Sequence, residues 1–471
     1  MPRFNWSRPR SRASDPTPRA AGGQDLSAGG RGLPLAAALG SVVIGVALAG
    51  CAVDLLGELQ SGSRRVSETM GRLLTPAAAD VDIKAITGYG LDDFTVTSPG
   101  VIAVDAGQRR AELARLDVER RNLVCAATGA AAPSRTVAEI LGEPGGPPDD
   151  DPTTPFAVFM MAKGAAYFAA PDRTEAEAAI ATLRQWAQAS AMTSIRDYGG
   201  DRSNLNSVHL LLRTLTPTLS AWSILRFYPG LSGADREVID GWLISLVARA
   251  DVNTGPLDDR DANPDRYLSQ YDSHRYLRDL VAMQWGILSA DDRRFRRGIE
   301  RFFVALRQMR NDGSLPLEIA RGGRALSSQN EAIAILVHIA ELAAVQGYDL
   351  YGFDVDGASI HTAIRFLLDA IDDPRIALKY SGDGGSLGPT LSASRGSVQN
   401  LAFLFARGQR HAMAWIEPYV ARFPESANAV RLAALRGGRV LRERPLLSEL
   451  IGGNATCLYG RKSQSLAEFR F

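Results

Sequence analysis

The feature that most constrains the fold is a succession of helical segments between Phe156 and Phe423. Apolar residues recur at helical spacing in segments such as EAEAAIATLRQWAQASAM, and stop signals such as the turn NDGS separate the segments. Helices joined by short loops pack as antiparallel pairs, and repeated pairs bury a continuous core. The pattern therefore predicts an all-α protein, an incomplete α/α barrel (toroid) of antiparallel helix pairs. A generic helical bundle or solenoid is the alternative.

Composition and charge narrow the class of partner. The chain has 471 residues, of which 45% are apolar and 22% charged, as in a soluble globular protein. A formal net charge of +1 gives no reason to expect nucleic acid, so an anionic ligand would need local arginines. The acidic stretches DDRDANPDR and DDDP lack calcium-loop spacing, and no histidine and cysteine set is typical of zinc. We therefore expect neither a metal nor a cofactor.

The N-terminus predicts export. Residues 1–32 are rich in Arg, Ser, Pro, Gly and Ala, and an uncharged run, GLPLAAALGSVVIGVALAGC, ends at Cys51. This run resembles a bacterial lipoprotein signal, which implies lipidation of Cys51, although a plain membrane anchor has a similar length. We assign residues 1–51 to a disordered preamble with a signal or anchor. The expected location is the periplasm or cell envelope, where the lipid or anchor would attach the protein to the membrane.

The remaining chain divides into three predicted parts. Residues 52–154 are expected to form a linker and an irregular N-terminal segment, which includes the loop GEPGGPPDDDPTTP. Residues 155–460 form the helical domain and residues 461–471 a C-terminal tail. Cys125 and Cys457 form a disulfide in an oxidising compartment or stay as two free buried thiols, and the sequence leaves both open.

Several ordered motifs carry a resemblance to a known family. Residues 311–351 read NDGSLPLEIARGGRALSSQNEAIAILVHIAELAAVQGYDLY, preceded by His274-Arg275-Tyr276 and followed by AWIEPYVARFPES and IGGNATCLYG. Together they resemble the alginate lyase superfamily, specifically the family-five polysaccharide lyases that cut poly-mannuronate. The resemblance implies a toroid with a tunnel-like cleft, and β-elimination across the glycosidic bond of a uronate polymer.

The resemblance also implies site residues. It places His274 and Arg321 as catalytic residues that neutralise the uronate carboxylate, with His274 also a candidate base. Planar guanidinium groups bind carboxylates well, so Arg275 and Arg324 are predicted to bind substrate. Tyr276 is a candidate acid, with Tyr271 as an alternative.

Two positions depart from the family pattern. Ser273 replaces an asparagine before the histidine, and Ser328 replaces the tyrosine that the family uses as acid and base. A serine hydroxyl is a far weaker acid than a phenol, which has a pKa of about 10. We expect Ser273, Ser328 and Gln329 to line the cleft as polar substrate-binding residues. We also expect Glu318 to orient Arg321 through an ion pair.

The sequence is compatible with two functions. In the first, the protein is a polysaccharide lyase that acts on an anionic uronate polymer, such as alginate or a related exopolysaccharide, with another group in place of the tyrosine. Alternatively, it is a catalytically degenerate relative that binds an anionic exopolysaccharide in the envelope without cleaving it.

Overall fold

A computed structural model describes residues 81–102, 106–125, 130–142, 151–196, 205–252, 271–380, 398–408, 410–437 and 445–460. All of them belong to one unit, Ser61–Phe471. The predictions for Cys51, for residues 1–51 and for the tail 461–471 lie outside these ranges. Within the described ranges, no helix has the length and apolar character needed to cross a bilayer.

Helices dominate the described structure. In chain order they are α1 (Ile83–Thr87), α2 (Ala106–Ala114), α3 (Val118–Cys125), α4 (Thr154–Ala169), α5 (Arg173–Gln188), α6 (Leu205–Leu225), α7 (Gly233–Val252), α8 (Ser273–Ser289), α9 (Asp292–Gln308), α10 (Pro316–Ile319), α11 (Ala325–Val345), α12 (Ile360–Asp372), α13 (Arg375–Leu378), α14 (Ile416–Arg422), α15 (Ala427–Gly437) and α16 (Ala455–Tyr459). Two-residue strands form a parallel pair, β1 (Glu139–Ile140) with β2 (Ser194–Ile195), and an antiparallel pair, β3 (Leu447–Ser448) with β4 (Gly453–Asn454). The predicted all-α class is confirmed.

Helix α8 lies at the centre of the fold. It packs against α6, α9 and α11, and its residues from Tyr276 to Leu288 are all buried. The helix begins at an Asp272 cap, whose carboxylate accepts the N–H of His274, and ends at Ala290 in the left-handed conformation. Because the helices α6, α9 and α11 pack around α8, the first turn of α8 is held in a fixed position.

The segment predicted to be irregular contributes to the domain. Helices α2 and α3 pack against α4 and α16, and Arg109 of α2 donates through Nε to the carbonyl of Cys457 over 2.8 Å. Cys125, at the end of α3, is bridged to Cys457, with Cα atoms 4.7 Å apart. Of the two states that the sequence left open, the structure therefore has the disulfide. It joins the two ends of the described domain.

Removing this bridge is expected to destabilise the protein. In a Cys125→Ala/Cys457→Ala variant the free energy of unfolding should fall by about 2–4 kcal/mol, because the bridge restricts the unfolded chain. Its sequence separation of 332 residues makes that restriction extensive. Urea unfolding with and without a reductant measures the change. Reductant should lower the midpoint of the wild type and leave that of the variant unchanged; a wild-type midpoint that reductant does not alter would contradict the prediction.

Candidate active site

The first turn of α8 fixes the orientation of His274. Asp272 accepts the backbone N–H of His274 through Oδ1 over 2.9 Å, and the same oxygen lies 3.0 Å from Nδ1 of the His274 ring. A carboxylate only accepts hydrogen bonds, so Nδ1 carries a proton and Nε2 holds the lone pair of the neutral ring. The His274 side chain is 24% exposed, so the ring is accessible from one side.

Asp272 also connects His274 to Arg321. Nη2 of Arg321 donates to Oδ2 of Asp272 over 2.5 Å, and its Nε lies 3.3 Å from Oε2 of Glu318. The predicted ion pair between Glu318 and Arg321 is therefore present. Ser273 is buried and donates its N–H to Glu318 over 2.7 Å, so it supports Glu318 and does not line a cleft as predicted. The structure brings the two predicted catalytic residues together through an aspartate that the sequence analysis had not selected.

The charges of this cluster follow from burial and proximity. Burial raises the pKa of Glu318 to about 7, against the opposing charge of Arg321. Burial acts in the same sense on Asp272, but the charges of His274 and Arg321 hold its pKa at about 2. Burial alone would lower the pKa of His274, whereas the charge and hydrogen bond of Asp272 raise it above its ordinary value. At neutral pH Asp272 is thus ionised, and His274 readily takes up a proton.

The catalytic role predicted for Tyr276 is wrong. Its side chain is only 1% exposed and its hydroxyl donates to Oε1 of Gln308 over 2.9 Å, between α8 and α9. Burial raises the pKa of this phenol far above its ordinary value. A phenol in the core that is already hydrogen-bonded to an amide cannot deliver a proton to a substrate.

Two of the predicted substrate-binding residues are also structural. Nε of Arg275 donates to the buried Asp279 over 2.7 Å, on the side of α8 that faces α9. Gln329 is fully buried, where it accepts the N–H of Leu315 and donates to the carbonyl of Gly313, each over 3.0 Å. Both predictions are corrected: Arg275 pairs within α8 with the aspartate that contacts α9, and Gln329 fixes the turn before α10.

The other two predicted binding residues lie at the edge of the cluster. Arg324 is exposed at the start of α11, and Ser328 is partly exposed in its first turn. Partial desolvation and the nearby charge of Arg321 lower the pKa of Arg324, which stays a cation at any physiological pH. Their positions are compatible with contact to an anionic ligand.

A second histidine in the site was missed. His209, in the first turns of α6, has its ring centroid 4.8 Å from that of His274, and its Nε2 lies 3.2 Å from Oε1 of Glu331 on α11. One turn further along α6, Nε of Arg213 donates to Glu449 over 3.0 Å. Two polar side chains four residues apart share one face of a helix, and this spacing in an otherwise apolar segment was the available signal.

Comparisons with known proteins agree with this architecture. Residues 154–377 match the family model described as alginate lyase. A "Polysaccharide lyase" of Stenotrophomonas maltophilia (strain K279a) is 31% identical over 212 residues, which are 45% of this chain and 59% of that protein. An "Alginate lyase" of Pseudomonas putida (strain W619) is 26% identical over 297 residues, or 60% of this chain and 67% of that protein. The chain thus spans less than two thirds of the first of these relatives.

Solved structures share the fold. Alginate lyase A1-III in complex with a tetrasaccharide is similar with a TM-score of 0.63 at 23% identity, covering 80% of this chain and 99% of that one. The crystal structure of alginate lyase A1-III from Sphingomonas species A1 gives a TM-score of 0.62 at 24% identity, over 79% and 99% of the two chains. The predicted α/α toroid is therefore confirmed. Residues 154–377 and this shared fold therefore confirm the resemblance to the alginate lyase superfamily.

Proposed function

We propose that the protein cleaves an anionic uronate polymer, alginate or a related exopolysaccharide, by β-elimination. The observation that carries the proposal is the cluster in which Asp272 holds both His274 and Arg321 at the start of α8. A tetrasaccharide is bound by a solved relative of the same fold, which supports a polysaccharide as the ligand.

Each retained residue has a chemical task in this reaction. Removal of the proton on C5 of a uronate builds negative charge beside its carboxylate, so a fixed cation must stabilise the developing anion. A guanidinium has five N–H donors. Arg321 can therefore contact Asp272, Glu318 and a substrate carboxylate together, while Arg324 adds positive charge at the edge. His274 stands next to this cation with a ring that can carry a proton.

The alternative is a protein that binds an anionic exopolysaccharide without cutting it. Ser328 occupies the position where the resemblance implies the catalytic phenol, and its hydroxyl transfers protons poorly. This substitution is the observation that favours the alternative, and an activity assay separates the two functions.

We also propose that the protein acts in the periplasm or cell envelope, anchored through its N-terminus. The bridge between Cys125 and Cys457 supports this location, because structural disulfides persist in oxidising compartments. The apolar run that ends at Cys51 is the second support.

An elimination assay tests the function. The purified protein is incubated with poly-mannuronate, poly-guluronate and other polyuronates, and the ultraviolet absorbance of the unsaturated product is followed. We expect absorbance to rise with at least one polymer, and His274→Ala to lower kcat/KM at least about 10²-fold. Saturable binding of a polymer without any rise in absorbance would replace this proposal with the binding protein.

A further inference from the structure

The site contains two histidines, each of which has its own carboxylate. His274 is paired with Asp272 through Nδ1, and His209 with Glu331 through Nε2, and the two ring centroids are 4.8 Å apart. The four residues come from α8, its N-terminal cap, α6 and α11. The two rings are thus held close together by three separate helices.

One nitrogen of the second histidine has no hydrogen-bond partner among the described residues. Nδ1 of His209 is buried and makes no hydrogen bond to any residue in the described parts of the chain. Because Glu331 is a carboxylate that lies 3.2 Å from Nε2, it favours the neutral tautomer with the proton on Nε2 and the lone pair on Nδ1. The lone pair on this nitrogen is therefore not used by a neighbouring described residue, and it can accept a hydrogen bond or a proton.

The surroundings drive the two rings toward opposite protonation states. Burial lowers the pKa of His209, and Glu331 only partly offsets this, while the charges of His274 and of Arg213 lower it further. Burial and the charge of Arg321 lower the pKa of His274. Asp272 and Glu331 raise it, and the net effect is a raised pKa. Between the two pKa values, His209 is neutral and His274 is charged. Two neighbouring groups whose pKa values are shifted in opposite directions are typical of a base and an acid.

We propose that His209 is the general base of the β-elimination and His274 the general acid, an inference that depends on the proposed function. The imidazole of His209 takes the proton from C5 of the uronate, and the electrons of that C–H bond form a double bond between C4 and C5. The bond from C4 to the glycosidic oxygen breaks, and Nε2 of the His274 imidazolium gives its proton to that oxygen. His209 ends protonated and His274 neutral, and exchange with water restores both.

The geometry suits this division of tasks. In a syn elimination the hydrogen on C5 and the oxygen on C4 leave from the same face of the sugar, so the base and the acid lie side by side, as the two rings do. Glu331 balances the charge that His209 gains, and Asp272 keeps Nε2 of His274 directed away from the helix cap. Glu331 lies three residues after Ser328 on α11, on the same face, so this pair stands beside the serine that cannot itself transfer the proton.

The pH dependence of kcat/KM tests the inference on whichever polymer the wild type cleaves. The wild type should give a bell-shaped profile, with an acid limb from protonation of His209 and an alkaline limb from deprotonation of His274. His209→Gln should lower kcat/KM at least about 10²-fold and abolish the acid limb. Glu331→Gln should lower it about 10-fold and move the acid limb to lower pH, because the imidazolium of His209 loses its counter-charge.

His361→Gln is the matched control. His361 contacts Tyr419 and Phe423 in an aromatic group on α12 and α14, and its replacement should leave both limbs unchanged. The thermal unfolding midpoint of each variant shows whether that variant folds. If His209→Gln does not fold, the shift of the acid limb in Glu331→Gln tests the inference instead. A folded His209→Gln that retains wild-type activity and both limbs overturns this inference alone. A wild type that cleaves none of the polymers overturns the proposed function, and this inference with it.

Discussion

Arg321→Ala is expected to lose both activity and stability. Arg321 is only 10% exposed and faces Asp272 and Glu318, so its removal leaves two buried carboxyl groups without their cation. Breaking such an ion pair from one side costs about 3–5 kcal/mol of the free energy of unfolding. Loss of the donor that stabilises the developing anion should lower kcat/KM on the order of 10²–10³-fold.

The stability loss in Arg321→Ala should depend on pH in a defined direction. Without Arg321 the pKa of Glu318, about 7 in the wild type, rises further. A carboxyl whose pKa is raised in the folded state binds a proton there that the unfolded chain releases, so stability falls as pH rises above the ordinary pKa of 4.5 toward the folded pKa. Urea unfolding should therefore show a larger loss at pH 8 than at pH 6.

Arg321→Lys is the control for charge. It keeps a cation beside Asp272 but loses the planar fork, so it should recover much of the stability and little of the activity. Equal activity in the wild type and Arg321→Ala would exclude Arg321 from the reaction, whatever happens to stability.

Asp279→Ala is expected to lower the free energy of unfolding by about 3–5 kcal/mol without involving the chemistry of the site. Asp279 is 1% exposed and accepts hydrogen bonds from Arg275, Arg297 and Arg301, each at 3.0 Å or less, where α8 packs on α9. Its loss leaves three closely spaced cations without a common anion. These cations hold the pKa of Asp279 well below its ordinary value despite burial. Its stabilising effect is therefore present at neutral pH and is lost as pH falls below about 4.

Asp369→Ala provides the matched comparison. Asp369 also pairs with an arginine, Arg431, at 2.7 Å, but its side chain is 46% exposed. An exposed ion pair contributes at most about 1 kcal/mol. Thermal and urea unfolding of both variants should thus separate them clearly. Equal midpoints for Asp279→Ala and Asp369→Ala would show that the buried cluster adds nothing to stability.

The fold could be predicted because its signals are local. Helical periodicity and the turn NDGS lie within a few residues of the structure that they specify. The ordered motifs then favoured a toroid over other helical arrangements. The contribution of residues 81–142 could not be foreseen, because short helices in a mixed segment gain their stability from packing on distant parts of the chain.

The site was harder to predict because it depends on direction and distance. Successive residues of a helix differ by about 100° around its axis, so His274 can face the cluster while Arg275 and Tyr276 face other helices. Asp272 was not predicted as a site residue, because its second oxygen contacts Arg321 from 49 positions away. The partner of His209 is still more distant in the sequence, and only the packing of α6 and α11 around α8 brings the two together.

The bond between Cys125 and Cys457 turns most of the domain into a covalent ring. A protease that cuts one loop anywhere between these two cysteines opens the ring but releases no fragment, so the nicked protein keeps its full mass until it is reduced. Both halves of the cut chain, including α8 and α11 with their site residues, stay tethered and able to re-dock. Wherever proteases act on the protein, this closure gives tolerance to a single cut that hydrophobic packing alone does not provide.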